Sequence, residues 1–164
     1  MRVTMNMKGR NGEHGVTFVE VIAVTAIVLI LASMAVPVGQ TMVKRQKEIE
    51  LRQALRQIRE ALDRFQKDST LHEGIRNQLS AANEERYPEE LEVLVEGVDI
   101  GDAAGTKLKY LRRLPLDPMT GGEEWATRSS RDQPDSLFSD KINIFDVRSQ
   151  SDKIALDGTR YDEW

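Results

Sequence analysis

The feature that most constrains this chain is an apolar run near its start. Residues 21–38 are eighteen residues without a charge, mainly Val, Ile, Leu and Ala. An α-helix rises about 1.5 Å per residue, so the run rises about 27 Å, close to the ~30 Å hydrocarbon core of a bilayer. Its length therefore fits a membrane-spanning helix. Glu20 lies just before the run, and a lone carboxylate at the edge of such a segment needs a compensating partner.

The pattern becomes amphipathic beyond Pro37. Apolar residues recur there at spacings of four, three, four and three, which places them on one helical face: Leu51, Leu55, Ile58, Leu62 and Phe65. Charged residues between them predict a solvated opposite face. We therefore predict one helix over about residues 16–67. Pro37 removes one backbone donor, so it either kinks or locally melts this helix or is an ordinary proline of a membrane helix.

The rest of the chain predicts a small mixed domain. Residues 69–86 are expected to form a polar loop with a short helical piece. A second short helix is expected to open at Tyr87-Pro88 and stop at Gly97, and residues 98–107 are expected to form a loop.

Beyond residue 110 the pattern favours β-structure. Strands are predicted over Glu124–Arg128 and Lys141–Arg148, and a turn at Asp157-Gly158. Trp164 is expected to pack back on the sheet. The fold class is α+β, a long helix packed on a small head with a short helix and an antiparallel sheet.

Composition excludes several functions. The chain has no cysteine, which rules out disulfides and thiolate metal sites. Residues 69–164 carry twelve basic and twenty acidic side chains, net −8, so the head gives no electrostatic footprint for nucleic acid. The only histidines are His14 and His72, and no Gly-rich loop precedes a helix as a phosphate cradle would. We predict no catalytic residue, and the chain is expected not to be an enzyme.

The stretch Gly15-Val16-Thr17-Phe18-Val19-Glu20, followed by the apolar run, resembles the start of type IV prepilins and of the pseudopilins of type II secretion. The resemblance implies that a prepilin peptidase cuts between Gly15 and Val16 and that Val16 is then N-methylated. Thr17 and Phe18 belong to the same processing motif. Glu20 becomes the fifth mature residue, which in the family pairs with the N-terminal amine of a neighbouring subunit.

Two positions differ from the commonest pattern and one agrees with it. Val16 stands where the family usually has Phe, and His14 where it usually has Lys or Arg. Pro37 falls at the twenty-second mature position, where these proteins often have a proline, so the resemblance gives it a place in filament assembly beside Glu20.

Parts of the head look like the major pseudopilin of type II secretion. They are Tyr87-Pro88, the turn at 114–118, residues 145–149 and residues 157–159. The resemblance implies a type IV pilin-like fold and a structural subunit that polymerises into a periplasmic pseudopilus for protein transport. The expected organisation is a cleaved leader at 1–15, a transmembrane or filament-core helix at 16–38, its amphipathic continuation at 39–68 and a periplasmic head at 69–164.

Location and partners follow from the same resemblance. The chain is expected to cross the bacterial inner membrane once, with its N-terminus in the cytoplasm and its head in the periplasm. Its expected partners are further copies of itself, minor pseudopilins, prepilin peptidase, the inner-membrane assembly platform and the membrane, with no nucleic acid.

Calcium is the one cofactor that the resemblance raises, because major pseudopilins usually bind it in a loop late in the head. Asp132, Asp135 and Asp140 are the candidate ligands here, but the family's Gly-Asp-rich run is absent. Calcium needs six to eight oxygen ligands. A solvated acidic loop without metal is the preferred interpretation, and calcium binding is the alternative.

Other functions remain open on sequence grounds. Within the superfamily, the chain could be a minor pseudopilin or a subunit of a type IV pilus or competence system. An ordinary signal peptide or signal anchor is the simpler alternative for the apolar run. From another class, a membrane-anchored periplasmic binding protein would also carry such a run.

Overall fold

The computed structural model describes residues 15–133 and 139–164, except for the side chains of residues 34–37. The predicted leader, apart from Gly15, lies outside the described residues. The chain divides into two compact units, residues 1–41 and 42–164. The described elements are α1 (Phe18–Leu71), α2 (Glu73–Arg76), α3 (Val93–Glu96), β1 (Val98–Asp99), β2 (Lys107–Leu108), β3 (Ala126–Arg128), β4 (Asp146–Arg148) and a 3₁₀ helix (Tyr161–Glu163).

The long helix α1 has 54 residues and confirms the predicted helix, with shifted ends. It begins two residues later than predicted and ends four residues later. The final turn is held by Ser69, which is fully buried and donates its hydroxyl to the carbonyls of Gln66 and Arg86. The second bond reaches seventeen residues along the chain, so helical periodicity alone does not reveal this end.

The first unit contributes the apolar part of α1. Its large side chains are exposed on every side of the helix, from Phe18 at 80% to Val21 at 49%. Within the described residues, α1 is long and apolar enough to cross a membrane, judged by length and composition.

The second unit has one apolar core, built on the amphipathic part of α1. The five residues of the predicted stripe are all buried, Leu51, Ile58 and Leu62 completely. Side chains from the rest of the unit close over them, namely Ile75, Leu91, Leu94, Val98, Leu111, Trp125, Ile144, Val147, Ala155 and Tyr161. The charged residues between the stripe positions are exposed, apart from the half-exposed Arg59.

Of the two short helices, α2 agrees with the prediction and α3 begins later than predicted. α2 is the helical piece expected within residues 69–86. α3 stops at Gly97 as predicted, where φ is +86°, a conformation that a glycine adopts without strain. It begins at Val93, however, and not at Pro88. Pro88 is buried, and its carbonyl accepts the backbone N–H of Ile144 at 2.7 Å, a long-range contact that fixes it outside the helix.

In the described residues the strands form two separate antiparallel pairs in place of the single predicted sheet, and one isolated bridge joins Ile154 and Arg160. β1 pairs with β2 inside the stretch predicted to be a loop. β3 pairs with β4, with Thr127 opposite Val147. Both strands are shorter than predicted, since β3 begins at residue 126 and β4 at residue 146.

The segment 154–164 returns to α1. The predicted turn at Asp157-Gly158 is present, with Gly158 at φ +89° and the Ala155 N–H bonded to the Thr159 carbonyl. Trp164 is partly buried and packs against the core, which includes Val147 of β4, and its ring lies edge-on to that of Tyr161. Its ring lies 4.3 Å from the guanidinium carbon of Arg52 on α1, a cation–π contact.

Candidate functional site

The start of α1 is organised by Thr17. Its hydroxyl oxygen accepts the backbone N–H of Glu20 at 3.2 Å, and its carbonyl accepts the N–H of Val21 at 3.1 Å. Thr17 is therefore the N-cap, which satisfies one of the four N–H groups that a helix leaves open. This is why the helix begins at Phe18 and not at residue 16.

Glu20 is the third residue of the helix. The spacing Thr-x-x-Glu is that of a capping box, and a carboxylate in the first turn is favoured by the helix dipole. The side chain of Glu20 is exposed, and in the described part of the chain no cation lies within ion-pair distance of it. It is a single negative charge on a helix whose other side chains, for thirteen further residues, are uncharged and exposed.

Gly15 lies just before this cap. Among the described residues, a Cβ placed on it would meet no atom within 4 Å. The packing of this part of the chain therefore does not require glycine at this position. Any requirement for glycine there has to come from a molecule that binds the segment, and Val16, Phe18 and Val19 are exposed beside it at 68–80%.

Pro37 lies inside α1. The backbone is helical through residues 34–37, so no melted segment interrupts the helix there. The side chain of Pro37 lies outside the described residues, and its predicted part in assembly stays a prediction.

The calcium candidates form a local hydrogen-bonded turn. Asp132 accepts the backbone N–H groups of Ser129 at 2.7 Å and Asp140 at 3.1 Å, and Asp140 accepts that of Ile142 at 3.0 Å. Partial burial opposes ionisation of Asp132, but its bonds from Ser129, Ser139 and Asp140 lower its pKa below the usual value. Asp135 lies outside the described residues. Among residues 15–133 and 139–164, no three His, Cys, Asp or Glu side chains are grouped to hold a metal ion.

A groove of about 1150 Å³ in the second unit is the place where a binding protein would hold a ligand. Arg59 crosses it, donating to Asp146 at 2.6 Å and to the carbonyls of Val147 and Trp164. Arg160 at its other side donates to Asp162 at 2.9 Å. These guanidinium groups are engaged by the chain itself, so the groove offers them to a ligand only after those bonds break.

Two features of the site were not predicted from the sequence. The capping role of Thr17 has a sequence signal, the Thr-x-x-Glu spacing. The attachment of segment 154–164 to α1 has no sequence signal, because it joins residues more than a hundred positions apart. Glu48 accepts the N–H of Leu156 at 2.7 Å and the Tyr161 hydroxyl at 2.9 Å.

Comparison with protein-family models, with the curated proteins and with the solved structures gave no match to this chain.

Proposed function

We propose that this chain is a structural subunit of a pilin-like filament, a pseudopilin that is cut between Gly15 and Val16, held in a membrane by the apolar part of α1 and polymerised through it. The observation that carries the proposal is one helix with two environments. Residues 51–65 of α1 bury their apolar face within the chain, whereas the apolar residues of 18–33 are exposed on all sides. A soluble monomer rarely exposes so much apolar surface without a partner.

Glu20 determines which partner suits that surface. Lipid alone accommodates an apolar helix but gives a carboxylate no counter-ion. In a bundle of identical helices, the N-terminal amine of a neighbouring copy can supply one. That amine exists next to the motif only after a cut at Gly15, so processing and assembly would be coupled. The cut would leave Thr17, and with it the helix cap, in place.

The pairing would also set the stagger between copies. A helix displaced by one turn, about 5.4 Å, would separate the carboxylate from the amine. Removing one partner of a buried pair costs about 3–5 kcal/mol. That corresponds to a loss of roughly 10²- to 10⁴-fold in subunit association. A filament with a periplasmic head, assembled by an inner-membrane platform with minor pseudopilins, is the function that uses each of these features.

The first test uses Glu20. We expect Glu20→Ala to insert and to be cut normally but to give no filaments, and Glu20→Lys to be worse because it opposes two like charges. The readouts are the yield of sheared filaments and secretion, with processing followed by mass spectrometry. Glu90→Lys makes the same charge change at an exposed position of the head and should assemble normally. Normal assembly of Glu20→Lys would refute the proposal.

The same experiment includes Gly15→Val. The structure leaves room for the added side chain, so the folded head should be unaffected. Maturation should nevertheless be blocked, and the wild-type product should begin with N-methylated Val16. A wild-type chain that still begins at Met1, in cells with active prepilin peptidase, would count against the proposed cut.

A further inference from the structure

A group of three basic residues follows the apolar part of α1 and has no function in the fold. Between Glu20 and Lys44 there are twenty-three residues without a charge, and then Lys44, Arg45 and Lys47 come within four positions. We call these three residues the basic collar. Successive residues of a helix are rotated by about 100°, so the collar spans roughly 160° of the circumference of α1. It covers a little less than half of the circumference, so the three charges lie on one broad side of the helix.

No carboxylate in the described part of the chain neutralises the collar. Arg45 and Lys47 are exposed and Lys44 is half-exposed, and none of the three forms an ion pair with a carboxylate of the described residues. The nearest carboxylates in sequence are Glu48 and Glu50, and both face other groups.

Each of those carboxylates has an identified partner. Glu48 accepts the Leu156 N–H and the Tyr161 hydroxyl at the same oxygen. Glu50 accepts the side-chain amide of Gln46 at 2.9 Å. The two acids nearest the collar are thus hydrogen-bonded to other groups and form no ion pair with its three cations.

We propose that the basic collar binds the phosphate groups of anionic phospholipids at the membrane surface where α1 leaves the bilayer. Twenty-three residues of helix rise about 35 Å, enough to pass the hydrocarbon core and bring Lys44 to the headgroup level. Lysine and arginine stems lie along apolar surface while their charges reach the interface. Anionic headgroups attract such juxtamembrane cations within about one Debye length.

This inference rests on the membrane-anchor part of the proposed function, but it makes a separate statement about lipid class. An acidic surface on a second copy of the chain is the competing partner, since residues 69–164 carry a net charge of −8. The position of the collar directly after the apolar run favours lipid. The two partners differ in how binding depends on the amount of protein in the bilayer.

The test reconstitutes the full chain in bilayers that contain spin-labelled phosphatidylglycerol or spin-labelled phosphatidylcholine and measures the motionally restricted fraction of each lipid. A basic residue near an anionic surface changes lipid affinity by up to about fivefold, so we expect a preference for phosphatidylglycerol of about threefold or more at low salt. The preference should disappear at about 1 M salt, where the Debye length falls to about 3 Å.

Two triple variants locate the effect. Lys44→Gln/Arg45→Gln/Lys47→Gln should abolish the preference. Lys107→Gln/Lys109→Gln/Arg113→Gln removes the same charge from exposed positions of the second unit and should retain it. Equal loss in both variants, or no loss in the first, would overturn the inference.

The remaining outcomes are also decisive. Equal restricted fractions of the two lipids around the wild-type chain would overturn the collar inference while leaving the anchor intact. No restricted fraction for either lipid would overturn the anchor and the inference together. No preference for either lipid, together with self-association of the wild-type chain that rises with the protein-to-lipid ratio and is lost in the collar variant, would assign the collar to a second copy of the chain and overturn the lipid assignment.

Discussion

Two stretches of α1 carry similar apolar side chains and use them in opposite ways. In residues 51–65 the apolar positions recur every three or four residues and are buried under the head. In residues 18–33 they occur at almost every position and are exposed, so that Leu29 is 65% accessible while Leu62 is inaccessible. The head can cover only one face of a helix. The periodicity of residues 51–65 therefore matches a partner within the chain that covers one side of the helix. The uniformly apolar composition of residues 18–33 matches a partner outside the chain that surrounds the helix.

The sharpest way to test this difference is to truncate one leucine in each stretch. Leu62→Ala should lower the free energy of unfolding by about 3–5 kcal/mol, because it removes a fully buried side chain and leaves a cavity. Leu29→Ala should leave it unchanged, because Leu29 makes no part of the core. The measurement is chemical denaturation of the full chain in detergent, followed by the emission of the buried Trp125. An equal loss in Leu29→Ala would mean that the first stretch contributes to the stability of the head.

Two glycine substitutions, one in the head and one in the apolar part of α1, compare how closely the backbone is packed in each region. A Cβ on Gly74 would overlap the carbonyl of Ile100 and the amide nitrogen of Gly101, where α2 meets β1. Gly74→Ala should therefore lower the free energy of unfolding by about 1–3 kcal/mol. Gly39→Ala, in the apolar part of α1, meets no atom within 4 Å and should leave the head as stable as before. The same denaturation assay measures both, and an unaffected Gly74→Ala would contradict the close approach of the two segments.

The smallest effect concerns Tyr161 and depends on pH. Burial and the hydrogen bond to Glu48 raise the pKa of Tyr161 to about 12 from the ordinary value of 10. The folded chain holds this proton more tightly than the unfolded chain, so its contribution to stability is complete below pH 10 and is lost as the pH rises toward 12.

Tyr161→Phe isolates that contribution. At pH 8 the variant should be less stable by about 1 kcal/mol, the net value of one hydrogen bond. The difference from wild type should shrink between pH 10 and pH 12, which thermal denaturation at a series of pH values would reveal. A constant difference across that range would mean that the hydroxyl does not titrate as the contact with Glu48 requires.

The sequence predicts those parts of the fold that depend on neighbours along the chain. The stripe from Leu51 to Phe65 follows from helical periodicity alone, and the turns at Gly97 and Gly158 follow from the freedom of glycine at positive φ. The parts it does not predict depend on distant residues. Pro88 is excluded from α3 by its bond to Ile144, and the two-residue strands β1 and β2 are too short to show any alternation.

The candidate site shows the same difference between local and long-range features. The helix cap at Thr17 is local and is encoded in the Thr-x-x-Glu spacing. The arrangement of the acidic loop depends on Asp132 reaching across to Asp140, which spacing does not determine. The roles proposed for Gly15 and Glu20 lie in other molecules. Within the described residues, Gly15 is exposed, and the Glu20 carboxylate is exposed and forms no ion pair.

The attachment of segment 154–164 to α1 has a consequence for the order of events in a living cell. Glu48 is joined to Tyr161, 113 positions further along the chain, and closing so long a loop costs entropy that later contacts must recover. A chain that enters a membrane by its first helix delivers Glu48 long before residue 161. Until that last stretch is available, part of the apolar face around Leu51 stays uncovered, so the core of the head cannot close before the final residues of the chain have been made.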